Sequence, residues 1–223
     1  TEYWEELKSY VKPVFVRPPR MVNIAGEHLS NLGLRQFRCA ETEKYPHVTF
    51  FFNDYQDEPF EGETRENPQS PGVATYDLKP EMAAEEVCAA VLRRLSAPDC
   101  EDFIVVNFAN ADMVGHTGVL AAAIKACEKV DECVGRVVQA ALARGGSLIV
   151  AADHGNAEQM WNPETKAPHT SHTTYDVPLY VVGEAFRGRS LREGGRLADI
   201  LPTALAMMGL GKPAEMTGNS LLI

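Results

Sequence analysis

Apolar residues along this chain recur with two different periods, and each period marks a kind of element. Short runs rich in β-branched residues predict buried strands over residues 102–108, 147–152 and 177–182, and strict alternation predicts a further strand over 34–39. Between them the spacing turns helical. Leu120, Ala123, Ile124, Cys127, Val130, Val134, Val137, Val138 and Leu142 share one face of the longest helix, which Gly145 and Gly146 stop just before the 147–152 strand. Met82, Val87, Val91 and Leu95 predict a helix from Pro80, a residue favoured at a first helical position, to about Leu95. A short helix over 23–32 closes on Gly33, and a last one runs from about Leu197 to Met208, with Pro202 inside it and Gly209 behind it.

Strand, helix and strand over 102–152 have the lengths of a right-handed βαβ unit. The repeated alternation predicts an α/β fold, a mostly parallel sheet with helices on both faces. Three stretches are less regular. Residues 48–52 have strand composition, yet Thr42, Glu43 and Pro46 suit a first helical turn, so local propensity leaves that stretch open. Residues 53–79 are acidic and rich in Gly and Pro, which reads as a long surface loop of the kind that serves as a lid or binding loop. Trp4, Leu7 and Val11 would share a face of a short helix before Pro13, Pro18 and Pro19 end it, so residues 1–22 read as an irregular lead-in. No repeat or linker divides the 223 residues, and one sizeable core is expected.

Charge and cysteine content narrow the partners. A net charge of −10 argues against nucleic acid, which would want a basic face. No apolar run approaches the roughly 18 residues that span a bilayer, and no signal peptide pattern opens the chain. Five cysteines, odd in number and without a CxxC pair, favour free thiols in a reducing compartment such as the cytoplasm. Global acidity leaves room for a phosphate ligand, because bound divalent cations and a local lysine reverse the field inside a site.

Candidate chemistry collects where strands end. In open α/β sheets ligands bind beyond the carboxyl ends of the strands. The 147–152 strand runs into Asp153 and His154, the 102–108 strand is followed by Asp112 and His116, and His169 and His172 lie just before the last strand. One such cluster alone reads as a helix cap and a surface histidine; three together read as a metal site. Mixed histidine and carboxylate sets suit zinc, manganese or iron better than calcium. Asp153 and His154, being adjacent, should point apart, which favours two ions about 3.5–4 Å from each other.

Five stretches in order, around Glu41-Thr42-Glu43-Lys44-Tyr45, Ala74-Thr75-Tyr76-Asp77-Leu78, Asp112-Met113-Val114-Gly115-His116, Asp153-His154-Gly155-Asn156 and His169-Thr170-Ser171-His172, resemble the cofactor-independent phosphoglycerate mutases. The resemblance runs from about Gly26 to the end and implies an alkaline-phosphatase-like fold. It implies that Asp112, His116 and His172 hold one divalent ion and Asp153 and His154 a second, with Mn2+ usual and Co2+, Mg2+ or Zn2+ acceptable to the same donors. His169 is the alternative to His172. Lys44, which alone would read as a solvated surface lysine, takes the place of the family's lysine on the transferred phosphoryl group. Asn156 and Glu158 would orient the loop and its ligands, and His28 and His47 would be structural. The reaction implied is interconversion of 3-phosphoglycerate and 2-phosphoglycerate in glycolysis and gluconeogenesis, through a phosphoserine, by a full enzyme that is a monomer.

One departure from the family is large. Its early Asp-Gly metal motif, its nucleophilic serine and its inserted transferase domain have no counterpart here, and no Asp-Gly dipeptide occurs anywhere in the chain. The chain resembles the C-terminal part of the metal-binding phosphatase-like domain. Alone it is expected to expose apolar surface and unpaired strand edges, to lack mutase turnover, and to aggregate or need the missing segment. Competing readings are a phosphohydrolase or phosphopentomutase of the same superfamily, and a scaffold module whose metals are structural, closed and four-coordinate.

Overall fold

The computed structural model describes residues 9–11 and 19–223, so the helical pattern drawn from Trp4 and Leu7 lies outside the described residues. At the centre is β1 (Gln36–Ala40), every residue of which is buried. It pairs in parallel with β2 (Glu63–Glu66) on one side and β3 (Phe103–Asn107) on the other, setting Phe37 opposite Thr64 and Ile104. Alternation along β1 sends Phe37 and Cys39 to one face. There they meet Val87, Cys88 and Val91 of α3 (Ala84–Ser96) and Cys133 and Val137 of α5 (Leu120–Ala143). Each such aliphatic side chain contributes roughly 1.5–3 kcal/mol on leaving water. This is the main core.

The opposite face of β1 carries Gln36 and Arg38, which alternation on a half-exposed strand would send to solvent. Instead α1 (Ala25–Asn31) and the segment through α2 (Tyr45–Val48) cover them, and both are 0 % exposed. Their polar groups are met inside only in part, since Arg38 Nε and Nη1 are buried without a hydrogen-bond partner. Gln36 donates to the Gly26 carbonyl at 2.8 Å, and Arg38 donates to the Gln36 side chain at 2.5 Å. The Arg38 guanidinium also lies 4.2 Å from the Phe52 ring centroid, a cation–π contact in a desolvated place. Burial pulls Arg38 down to about 10, with nearby Glu63 pulling the other way. A Cβ on Gly26 would stand 2.7 Å from the Phe60 ring, so only glycine lets α1 lie this close.

Several boundaries differ from the sequence reading. Residues 48–52 complete α2 and continue as turns, and the 53–79 loop contains β2 and a 3-10 turn at Tyr76–Leu78. Pro80 does not open α3. Residues 80–83 form turns in which Met82 takes φ +45°, and the helix begins at Ala84. The 102–152 stretch is not a βαβ unit within one sheet. β4 (Leu148–Ala151) pairs antiparallel with β7 (Leu179–Val182), β3 pairs with β1, and α5 joins two strands that do not bond to each other. Among the described residues β3 and β4 each leave one edge without a neighbouring strand, and all of β3 is part-exposed despite its apolar sequence. The fold is mixed α/β with a parallel sheet, completed by a hairpin of β5 (Trp161–Asn162) and β6 (Ala167–Pro168) and by α6 (Ile200–Met207). Among the described residues no helix is long and apolar enough to cross a membrane.

Candidate metal centre

Beyond the carboxyl end of β3 the chain turns into α4 (Asn110–Gly115), so Asp112 and His116 sit on a helical turn rather than in a loop. Their four-residue spacing brings both side chains to one face. Asn110, fully buried, fastens the turn by donating to the carbonyls of Pro80 and Glu81 at 2.9 and 2.8 Å. Asp153 and His154 follow β4 in a bend. His172 arrives on the chain between β6 and β7, held by a bond of 2.9 Å from the Thr173 N–H to the Gly155 carbonyl.

These elements deliver their donors to one place. Nε2 of His116 and Nε2 of His172 each lie 3.0 Å from Asp112 Oδ1 and 3.2 Å from each other. Metal bonds of about 2.1 Å put neighbouring donors on one ion roughly 3.0–3.4 Å apart, so this triangle has the dimensions of one face of a coordination sphere. The tautomer also fits. His116 Nδ1 lies 2.8 Å from the Thr170 carbonyl, which can only accept, so Nδ1 carries a proton and Nε2 is the nitrogen turned to the triangle. The His154 ring stacks on the His172 ring at 3.7 Å between centroids, and donor atoms of Asp112, His154 and His172 fall within 4.8 Å of one another.

Asp153 and His154 do not diverge as their adjacency led us to expect. Asp153 Oδ1 and His154 Nε2 are 3.7 Å apart. The alternation that separates neighbours belongs to a pleated strand, and these two residues lie past its end, where the backbone bends. The pair can therefore face a single ion.

Lys44 is 8 % exposed and forms an ion pair with Asp112, far from the solvated state that a lone lysine would have. Burial pushes the Asp112 carboxyl up, but bonds from Lys44 and Asn156 together outweigh it and hold the group at about 2. Asp112 is thus a carboxylate throughout the neutral range. The His169 Nδ1 is buried without a hydrogen-bond partner. His28 Nε2 contacts the Gly211 carbonyl at 3.1 Å, and His47 packs edge-on against Phe51.

Some contributors escaped the sequence reading. The Thr170 carbonyl is a backbone group and has no residue signature. Glu41, 0 % exposed, accepts from Ser70 at 2.8 Å and from the Ala83 N–H, while its own carbonyl accepts from the Lys44 and Tyr45 N–H groups, tying Lys44 to residues far along the chain. Glycine within the Asp112–His116 turn was the available sign of a close approach at Gly115. A Cβ there would lie 2.5 Å from the Asn156 side-chain oxygen. A separate cavity of about 400 Å3, lined by Arg35, Thr64, Arg94 and Glu101, opens at the amino-terminal ends of the parallel strands, away from this chemistry.

With a parallel sheet and histidine and carboxylate side chains gathered beyond strand ends, the chain belongs to the metalloenzyme superfamily, whose family model matches residues 9–212. Within it, the chain is 64% identical over 213 residues to a 2,3-bisphosphoglycerate-independent phosphoglycerate mutase of Rhodopirellula baltica, covering 95% of this chain and 39% of that relative. It superposes on a phosphoglycerate mutase of Leishmania mexicana, solved at low cobalt concentration, with a TM-score of 0.84 at 31% identity over 92% of this chain and 40% of that one. A putative sulfatase of Bacteroides thetaiotaomicron shares the fold, with a TM-score of 0.56 at 14% identity over 88% of this chain and 55% of that one. The chain thus spans about 40% of the length of the mutases it matches.

Proposed function

We propose that this chain is the C-terminal part of the metal-binding domain of a cofactor-independent phosphoglycerate mutase, which interconverts 3-phosphoglycerate and 2-phosphoglycerate in the cytoplasm. The observation that carries this is the donor triangle of Asp112, His116 and His172 with Lys44 buried against its acid. In this reading Asp112, His116 and His172 hold one divalent ion, Asp153 and His154 contribute to a second, and manganese is the metal we favour. When bound, such ions draw charge from phosphoryl oxygens and lower the pKa of a coordinated nucleophile. Lys44 is preset as a counter-charge. With a cation on Asp112, the Lys44 ammonium would be placed to face the oxygens of a phosphoryl group in transfer, where charge is spread over three positions.

Two donors are few for the second ion, and the nucleophilic serine and the groups that hold glycerate have no counterpart here. We assign them to the part of the longer relatives that this chain does not span. Among the described residues β3 and β4 each leave an edge without a neighbouring strand, and these edges, where a further strand would pair, support that assignment. The test is an assay of a longer protein that includes this chain, offered phosphoglycerate, an aryl phosphate and ribose phosphate with Mn2+. We expect phosphoglycerate interconversion, at least a hundredfold slower after Lys44→Ala, and no turnover by the 223-residue chain alone. Preference for either other substrate, or mutase turnover by the isolated chain, would overturn the reading.

A further inference from the structure

Asn156 lies two residues after His154 yet is bonded to Asp112, across the site. It is 5 % exposed, and its amide nitrogen donates twice, to Asp112 Oδ1 at 2.8 Å and to the Asp112 carbonyl at 3.1 Å. Glu158 holds it in place from behind, accepting from the Asn156 N–H at 2.6 Å and from the hydroxyl of Thr173, the neighbour of His172. Room for the clasp comes from two glycines. Cβ atoms on Gly115 and Gly155 would stand 2.5 Å from Asn156 Oδ1 and 2.2 Å from both Glu158 Oε1 and Thr173 Oγ1. One amide and one carboxylate thereby join α4, the bend after β4 and the segment carrying His172.

We propose that Asn156 is a positioning residue for the Asp112, His116 and His172 triangle, fixing the Asp112 carboxylate in the one orientation in which Oδ1 meets both imidazoles. The inference rests on the metal reading above. A carboxylate on a short helix has several rotamers, and Lys44 engages only Oδ2, so without Asn156 the oxygen shared by the two histidines is the less restrained one. Groups that orient a ligand in this way are worth about ten- to hundredfold in metal affinity. Gly115 belongs to the same device, since an alanine there drives the amide off Asp112 while leaving a residue that suits the helix of α4.

The experiment is an Mn2+ titration, followed by electron paramagnetic resonance, of a longer protein that includes this chain. His172→Ala identifies the tight class by abolishing it. Asn156→Ala and Gly115→Ala should each weaken that class by about ten- to hundredfold. The double variant should be no weaker than Asn156→Ala alone, because the methyl that Gly115→Ala adds then meets empty space. A merely structural loss would add instead. Binding that both single variants leave within twofold of the parent, or losses that add in the double variant, overturn this inference and leave the metal reading standing. Absence of any Mn2+ binding by the parent protein overturns both.

Discussion

Glu41 shows how much a single buried group decides here. Burial holds its carboxyl above the ordinary carboxylate range, and the bonds from Ser70 and Ala83 only partly offset that. The folded chain therefore keeps a proton that the unfolded chain releases from about pH 4.5 upward. Its contribution to stability is full below that point and is lost as pH rises through the raised value. In Glu41→Gln the group cannot ionise, so the thermal midpoint of the variant should fall less than that of the parent as pH is raised from the unfolded value to neutrality. Parallel midpoints across that range would show that the Glu41 charge costs nothing. At the same scale, the candidate donors were legible in the sequence because acid and imidazole recur beyond strand ends. That His172, the residue favoured over His169, meets Asp112 and His116 had no such signal, since a loop carries no period that says which side chain turns inward.

At the scale of elements, long periodic segments were legible and the short pieces that build the site were not. The sequence expectation for α5 over 120–142 stands beside an observed Leu120–Ala143, because 24 residues of helical spacing leave little choice. By contrast α2, α4 and β2 span four, six and four residues, too few for a period to be counted, and tertiary contacts decide them. Polar Gln36 and Arg38 gave no sign of burial, because alternation reports a face and not what will cover it. The turn before α5 offers a test at this scale. Gly118 adopts φ +72°, and a Cβ there would approach Pro168 and Thr170 to 2.9 and 3.0 Å. Gly118→Ala should lower stability by about 1–3 kcal/mol through backbone strain and push away the segment whose Thr170 carbonyl orients His116. Urea unfolding measures the first effect, and an unchanged midpoint would show that the turn relaxes without cost.

Across the whole molecule, the parallel sheet of three strands and the antiparallel pair are separate hydrogen-bonded units, and the donors lie around the ends of β3, β4 and the approach to β7. The Asp112, His116 and His172 triangle draws all three donors from this chain, whereas the Asp153 and His154 pair supplies two. Alternation of strands and helices announced the α/β class, but it could not reveal that β3 and β4 remain apart, since sequence order does not say which edges meet. The account as a whole depends on the triangle being a coordination face. An anomalous difference map at the manganese edge, from crystals grown with Mn2+ of a longer protein that includes this chain, tests that most directly. We predict a peak bonded to Asp112 and to Nε2 of His116 and His172, at about 2.0–2.2 Å from each. Manganese bound at other residues, or these three side chains turned away from one another, would contradict it.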